Sequence, residues 1–387
     1  MSLSRRALFA REPRSSANLK QLISARGREA LIAELGELGG EAGLIPAPQN
    51  GEIRLTSNEN PLGPFPASMA AIHDGFAGAG RYPSNAQPNT SDLTQAIADR
   101  MGCSTDNIVL GAGSGELLKT AAQAFTGPNR HLVTASPSYL QTQRVAAYLG
   151  AEVKAVAITA DGMLDLDAMA EAARGAGLIF FCNPNNPTGT VHTGSDVRGF
   201  VETVQRTSPE TVIHLDEAYH EYVTHPHYES AAGMATEMEN VFVSRTFSKC
   251  FGMAGMRIGY GIGSGRTIET LQALALGQNI AVPTVAGAYV ALQDPGREVQ
   301  ERERNTEARS YTIDFFDGIG YDVMASQTNF IFVDIGRPAA GFRSACREHG
   351  VGVGRDFPPM EQTHARISIG TLDEMQRACR VFKEVLA

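Results

Sequence analysis

The chain has 387 residues, enough for two domains and a sizeable core, and its 43% apolar and 19% charged content is that of a soluble globular protein. A formal net charge of −9 argues against nucleic acid as a partner, because proteins that bind a phosphate backbone carry a basic face. No segment reaches the ~20 apolar residues of a membrane span, and the scattered Cys103, Cys182, Cys250, Cys346 and Cys379 favour a reducing compartment, so a cytoplasmic protein without membrane contact is expected.

The first residues, SRRALF (4–9), resemble a twin-arginine export signal. Such a signal needs an uncharged apolar run next, and Arg11, Glu12, Arg14 and Lys20 follow instead. The reading is a basic solvated arm that continues into an amphipathic helix over 19–38, then a Gly- and Pro-rich linker over 39–50. From about residue 92 onward, helical patterns alternate with short apolar runs at 107–110, 131–135, 152–157, 178–182, 212–215, 241–244 and 258–262. Runs of that kind, separated by helix-length spacers, predict an α/β architecture around a mostly parallel, buried, seven-stranded sheet. Beyond residue 276 the pattern changes. A helical stretch over 282–311 is interrupted near Asp294, Pro295 and Gly296. A strand at 329–334, a helix at 339–349, a strand at 366–370 and a closing helix from Asp373 complete a smaller α+β domain. The expected organisation is an arm and linker (1–50), a first part of the small domain (51–80), a large domain (81–285) and the rest of the small domain (286–387).

Several chemically suggestive residues fall at the ends of the predicted strands, where open α/β sheets place their ligand crevice. Lys249, in VSRTFSKCFGMAGMRIGY (243–260), stands among small, hydroxylated and apolar residues with no acid beside it. An ammonium so placed loses hydration and becomes a usable neutral nucleophile, whereas a lysine at a loop surface merely snorkels into water. GAGSG (111–115) follows one strand and opens a helix, so it reads either as a plain loop or as a cup of backbone N–H groups for a phosphate. It is not a Walker loop, and GYGIG (259–263) lacks the full dinucleotide glycine spacing. NPNNPTG (183–189) is a rigid turn that presents the Asn186 amide. HLDEAY (214–219) ends a strand on Asp216, a carboxylate whose burial requires a cation or a hydrogen bond. His214 reads as a core or neighbour-bonded histidine. His220, His225 and His227 lack a carboxylate or thiolate partner geometry, so no metal is expected. A lysine nucleophile, a phosphate cup, an acid at a strand end, an amide, and the arginines Arg257 and Arg366 together match pyridoxal 5′-phosphate chemistry.

At this point the chain resembles the class I/II pyridoxal-phosphate-dependent aminotransferases of fold type I. Within them it is most similar to histidinol-phosphate aminotransferases. The resemblance runs from about residue 55 to the C-terminus on NENPLGP (58–64), RYP (81–83), GAGSGE (111–116), NPNNPTG, DEAY (216–219), RTFSKCFGMAGMRIGY (245–260) and RISIGT (366–371). It implies that Lys249 binds the cofactor as an imine, that Asp216 pairs with the pyridinium nitrogen, and that Asn186 and Tyr219 bond the ring's phenolic oxygen. Tyr139 would stack on the ring. Gly113, Ser114, Gly115, Thr246, Ser248 and Arg257 would hold the phosphate, with Tyr82 reaching the cofactor of a neighbouring subunit in a homodimer with shared sites. Arg366 would clamp the substrate carboxylate or its counterpart, with Arg355, Asn58 and Asn186 beside it. The implied reaction moves an amino group between histidinol phosphate, or a related small-molecule donor, and the 2-oxo acid 2-oxoglutarate. An aromatic or general amino-acid aminotransferase, an eliminating or cyclising enzyme on the same fold, and a non-catalytic sensor are the alternatives. In the loop GVGVGRDFPPM (350–360), Arg355 stands one residue later than the arginine of the family pattern, and Gly115 stands where an acid is common.

Overall fold

The computed structural model describes residues 51–387; the arm, the helix expected over 19–38 and the 39–50 linker lie outside the described residues. The strands run β1 (Ile53–Leu55), β2 (Ile108–Gly111), β3 (Leu132–Ser136), β4 (Val153–Ala157), β5 (Leu178–Cys182), β6 (Val212–Asp216), β7 (Val241–Thr246), β8 (Gly259–Gly263), β9 (Phe330–Asp334), β10 (Val351–Val353) and β11 (His364–Ser368). Strands β2 to β8 form one seven-stranded sheet in the order β2-β8-β7-β6-β5-β3-β4. Every residue of β5, β6 and β7 is buried, as a strand covered by helices on both faces requires, whereas the edge strand β4 is half-exposed.

The run expected at 258–262 is β8, and it is antiparallel to both β2 and β7. A parallel return needs a crossover helix, and the connection from β7 carries only the single 3-10 turn Ala254–Met256. That short return is the segment bearing Lys249, so the lysine is delivered to the sheet edge where β5 and β6 also end.

Six helices bear on the site's frame: α1 (Pro66–Gly75), α2 (Ser114–Phe125), α3 (Val282–Leu292), α4 (Pro295–Gly318), α5 (Ala339–Glu348) and α6 (Leu372–Leu386). The break expected between α3 and α4 is real: Asp294 accepts the Arg297 N–H and Pro295 starts α4, where its missing N–H costs nothing. Phe65 and Ile72 pack with Val285 and Ala288 of α3 in the core of the large sheet. A second core joins Phe316, Ile331, Phe342, Ile367 and Phe382, and Ile53 and Leu55 reach into it from β1. There β9 pairs antiparallel with β11, and β1 pairs parallel with β10. Two expectations are corrected here. The stretch 350–360, read as a loop, contains β10. The strand expected at 366–370 lies at 364–368, because Thr371 and Glu374 form the capping box of α6 and end the extended run before it.

Behind the crevice, the ends of β6 and β7 are tied by a buried ion pair. Arg245 donates Nε and Nη2 to Glu217 Oε2 at 3.0 and 2.9 Å, and Ser230 Oγ and the Ala231 N–H donate to the same carboxylate. Removing one partner of such a pair leaves a bare buried charge, a loss of about 3–5 kcal/mol. No helix among the described residues is long and apolar enough to cross a membrane, and the five cysteines are free thiols.

Candidate active site

Two groups of predicted residues converge at the C-terminal ends of β5, β6 and β7. The first surrounds Lys249. Its Nζ donates to the Ser57 carbonyl at 3.3 Å and lies 5.6 Å from the Tyr219 ring centroid. Burial, reinforced by the nearby Arg366 and Arg257 cations, lowers its pKa to about 8. Tyr219 follows β6, and its hydroxyl accepts from Asn58 Nδ2 at 3.1 Å and Asn186 Nδ2 at 3.4 Å. Burial pushes the phenol's pKa upward. Arg366, on β11, donates Nη1 to Asn186 Oδ1 at 3.0 Å and Nη2 to the Thr56 carbonyl at 2.7 Å, while its buried Nε has no partner. Burial lowers the pKa of this guanidinium to about 10, and the Arg355 charge adds to the effect. Asp216 ends β6, and burial raises its carboxyl to about 6 although Ser244 Oγ donates to Oδ1 at 2.7 Å. Lys249, Asn58, Asn186, Tyr219 and Arg366 are thus one connected set, with Asp216 close enough to Lys249 to stabilise its charge.

The second group forms a concave turn at the start of α2. Gly113 adopts φ +81°, and a Cβ there would collide with the Arg257 guanidinium, so only glycine lets the arginine close over the turn. Ser114 begins α2, presenting free N–H groups and the positive end of the helix dipole. Thr246 Oγ1 and Ser248 Oγ are 2.9 Å apart, and Arg257 Nη1 donates to Ser248 at 3.4 Å. On β8, Gly259 has no Cβ to obstruct Ser114 N, which lets the turn settle on the strand. Asn58 and Arg257 both hold left-handed backbone, at φ 53° and 56°. Non-glycine residues rarely adopt it and concentrate at functional sites.

The remaining predicted residues are placed as follows. Gly115 gives its carbonyl to Gln141 Nε2 at 2.6 Å, and Tyr139 donates to the same amide's oxygen at 3.4 Å, so Gly115 supports the tyrosine from below. Tyr139 feels both Asp216 and Arg257, which puts it between the two groups. Arg355 lies 4.2 Å, and Arg366 4.7 Å, from the Phe357 ring centroid. Tyr82 is 69% exposed, and its hydroxyl makes no hydrogen bond among the described residues. Sequence reasoning missed Ser244, Ser57, Thr56, Ser368 and Asn329. Ser368 accepts the Asn58 N–H and donates to Asn58 Oδ1, while Asn329 Nδ2 donates to the Asn58 carbonyl, and together they fix this loop. Only Ser244 carried a signal, as a hydroxyl closing the apolar run 241–244.

A buried anion, a low-pKa lysine and a helix-capped arginine cup on an open α/β sheet define a cofactor-dependent transferase. The chain belongs to the class I and II aminotransferase family, whose model matches residues 50–382. It is 34% identical over 337 residues to a histidinol-phosphate aminotransferase of Moorella thermoacetica, covering 87% of this chain and 86% of the relative. A histidinol-phosphate aminotransferase of Symbiobacterium thermophilum is 35% identical, over 86% of this chain and 90% of its own length. Among solved structures, the Sinorhizobium meliloti histidinol-phosphate aminotransferase in complex with pyridoxal-5′-phosphate superposes with a TM-score of 0.79 at 27% identity, over 87% of this chain and 90% of that one.

The residues present fit pyridoxal phosphate. The cup offers a phosphate dianion the Arg257 guanidinium, two hydroxyls and a helix N-terminus, and the carboxylate of the turn, Glu116, is taken up by the Ala112 and Leu276 N–H groups and the Asn279 amide. Asp216 is the acid that would meet a ring nitrogen, and Lys249 is partly buried at the same strand ends. Reducing the cofactor-loaded protein with borohydride and mapping its peptides should find the pyridoxyl group on Lys249 and on no other lysine. In cofactor-free protein, Lys249 should react with isotope-coded acetic anhydride half-maximally near pH 8, because the reactive free amine forms as pH rises through its pKa. An ordinary lysine profile at this position would contradict the site's electrostatics.

Proposed function

We propose that this chain moves an amino group reversibly between histidinol phosphate and 2-oxoglutarate, as a homodimer. The observation that carries the reading is the pair of guanidiniums, Arg355 and Arg366, held against one buried ring, Phe357. Two substrates that alternate in one pocket, one bearing a phosphate and the other carboxylates, require more than one cation at the entrance. Histidinol-phosphate aminotransferase is also the name of the relatives at 34% and 35% identity.

When bound, pyridoxal phosphate supplies an aldehyde to take up the amino group and a ring to accept the electron pair of the breaking carbon–hydrogen bond. The chain's own groups do the rest. Asp216 offers the negative charge that keeps the ring nitrogen protonated. Asn186 and Tyr219 present their polar atoms to one side of the pocket, and Asn186 holds the Arg366 guanidinium beside them. Lys249 can carry a proton at Nζ because its pKa of about 8 lies close to a working pH near neutral. Glu59 and Asp216 favour the charged form, while burial, Arg366 and Arg257 favour the neutral one, so small changes in occupancy shift the balance.

Arg355→Ala separates this reading from an aromatic or general aminotransferase. The KM for histidinol phosphate should rise about 30-fold or more, the loss expected for a desolvated charge pair. A donor without phosphate, such as phenylalanine, should be nearly unaffected. Equal effects on both donors would favour the general enzyme, as would equal use of the two by the parent protein. That outcome has a structural opening, because Arg355 Nη1 already donates to the Asp356 carbonyl and Arg343 pairs with Asp356.

The dimer is supported by the exposed Tyr82, whose side chain makes no hydrogen bond among the described residues, and by the exposed apolar Phe76 and Leu276. If each site borrows Tyr82 from the other copy, mixing inactive Lys249→Ala and weakened Tyr82→Phe subunits should restore part of the activity. A fully active monomer in sedimentation would overturn the shared site.

A further inference from the structure

The carboxylate of Asp216 does not stand alone on its strand. Residues i and i+2 share a face of a sheet, so His214 and Asp216 project together from β6. In the parallel ladder Asp216 lies opposite Ser244 of β7 and Cys182 of β5, and His214 lies opposite Phe242 and Phe180. Ser244 Oγ is 2.7 Å from Asp216 Oδ1 and 2.8 Å from His214 Nε2. The imidazole is stacked on Phe242 with centroids 4.0 Å apart and meets the edge of Phe180 at 5.5 Å.

The direction of these bonds follows from donor counting. An ionised carboxylate only accepts, so the single hydroxyl proton of Ser244 goes to Asp216. The serine oxygen must then accept from His214, which puts the imidazole proton on Nε2 and leaves Nδ1 as a bare lone pair. Nδ1 is indeed buried and without a partner, the less costly arrangement, since an orphaned N–H is rarer in folded proteins than an under-used acceptor. We propose that His214 and Ser244 form a two-step donor relay that holds Asp216 as an anion before and after the cofactor ring arrives, and that both are positioning residues for the carboxylate.

The other groups facing Asp216 do not replace the relay. Cys182 from β5 is a thiol kept protonated by burial, and Tyr139 after β3 is kept neutral in the same way. Lys249, after β7, supplies charge but no hydrogen bond to the carboxylate. Glu217 projects to the opposite face and is taken up by Arg245. Among the described residues, Ser244 is the hydrogen-bond donor to the Asp216 side chain, which leaves Oδ2 for the ring. Burial lowers the His214 imidazole to about 3, so at neutral pH it contributes an oriented dipole and adds no second charge. A donor chain of this kind polarises along its length and favours the ionised acceptor, opposing the burial that raises Asp216 to about 6.

The inference concerns cofactor binding and stands or falls independently of which donor is the substrate. Its test is the affinity of cofactor-free protein for pyridoxamine 5′-phosphate, which binds without a covalent bond, measured from about pH 5 to 9. The parent's affinity should fall as pH drops through the range where Asp216 takes up a proton. In Ser244→Ala that fall should begin about one pH unit or more higher, since a hydrogen bond to the charged form is lost. His214→Phe, which fills the aromatic slot, should move it in the same direction by less. Ser244→Thr, which keeps the hydroxyl, should restore the parent's profile. Affinity for inorganic phosphate, which probes the cup alone, should be the same in all four proteins, and ionisation of the ligand's own phosphate is common to them. Superimposable profiles for Ser244→Ala and the parent would overturn the relay. So would an equal loss of pyridoxamine phosphate and inorganic phosphate at every pH, which would mark a merely structural role.

Discussion

The site depends on keeping a carboxylate ionised in a place that disfavours it. Asp216 sits at the end of a fully buried central strand, where burial raises its carboxyl to about 6 against the opposing Ser244 hydrogen bond. The cations around it are in the opposite difficulty. Lys249 and Arg366 are both lowered by burial; Arg366 and Arg257 lower Lys249 further, and Arg355 does the same to Arg366. Without a ligand the crevice therefore sets Lys249, Arg257 and Arg366 against two neighbouring acids, Glu59 and Asp216. A dianionic phosphate and a protonated ring nitrogen relieve both imbalances. The arrangement selects such a cofactor by charge before any shape is considered.

The frame makes that electrostatic arrangement rigid. The Arg245–Glu217 pair and its Ser230 and Ala231 bonds tie β6 to β7 on the face behind the crevice, so the side chains on the front face keep their register. The short antiparallel return from β7 to β8 leaves no slack for the segment bearing Lys249. Loop 56–58 is tied to β11 through Arg366 and Ser368, and Asn58 from that loop reaches Tyr219. The second core thus bears directly on the groups that would meet a substrate. A change of packing around Phe316 or Phe382 would reach the pocket through α6 and β11.

Much of this was legible in the residues. The buried runs at 178–182 and 212–215 announced central strands because continuous apolar character admits little else at that length. The turn at Gly113 and the lysine of RTFSK were legible because few chemistries need a backbone cup and an unpaired amine together. Other features were not. The antiparallel direction of β8 depends on the length of its connection, which hydrophobic pattern does not record. The shift of β11 came from a capping box whose members, Thr371 and Glu374, look like ordinary helix residues. The strand inside 350–360 is three residues long and full of glycine, so it has no periodicity to read. The His214–Ser244–Asp216 relay required the register between two strands, and a register pairs residues 28 and 30 positions apart in the chain.

The role proposed for Asp216 requires a ring nitrogen that stays protonated at neutral pH. Nitrogen NMR of pyridoxal phosphate labelled with nitrogen-15 in the ring, bound to the parent protein, reads that proton directly. A protonated-nitrogen shift that persists from about pH 6.5 to 8.5, and moves to the unprotonated position in Asp216→Asn, is the predicted result. An unprotonated ring nitrogen in the parent protein across that range would contradict the account.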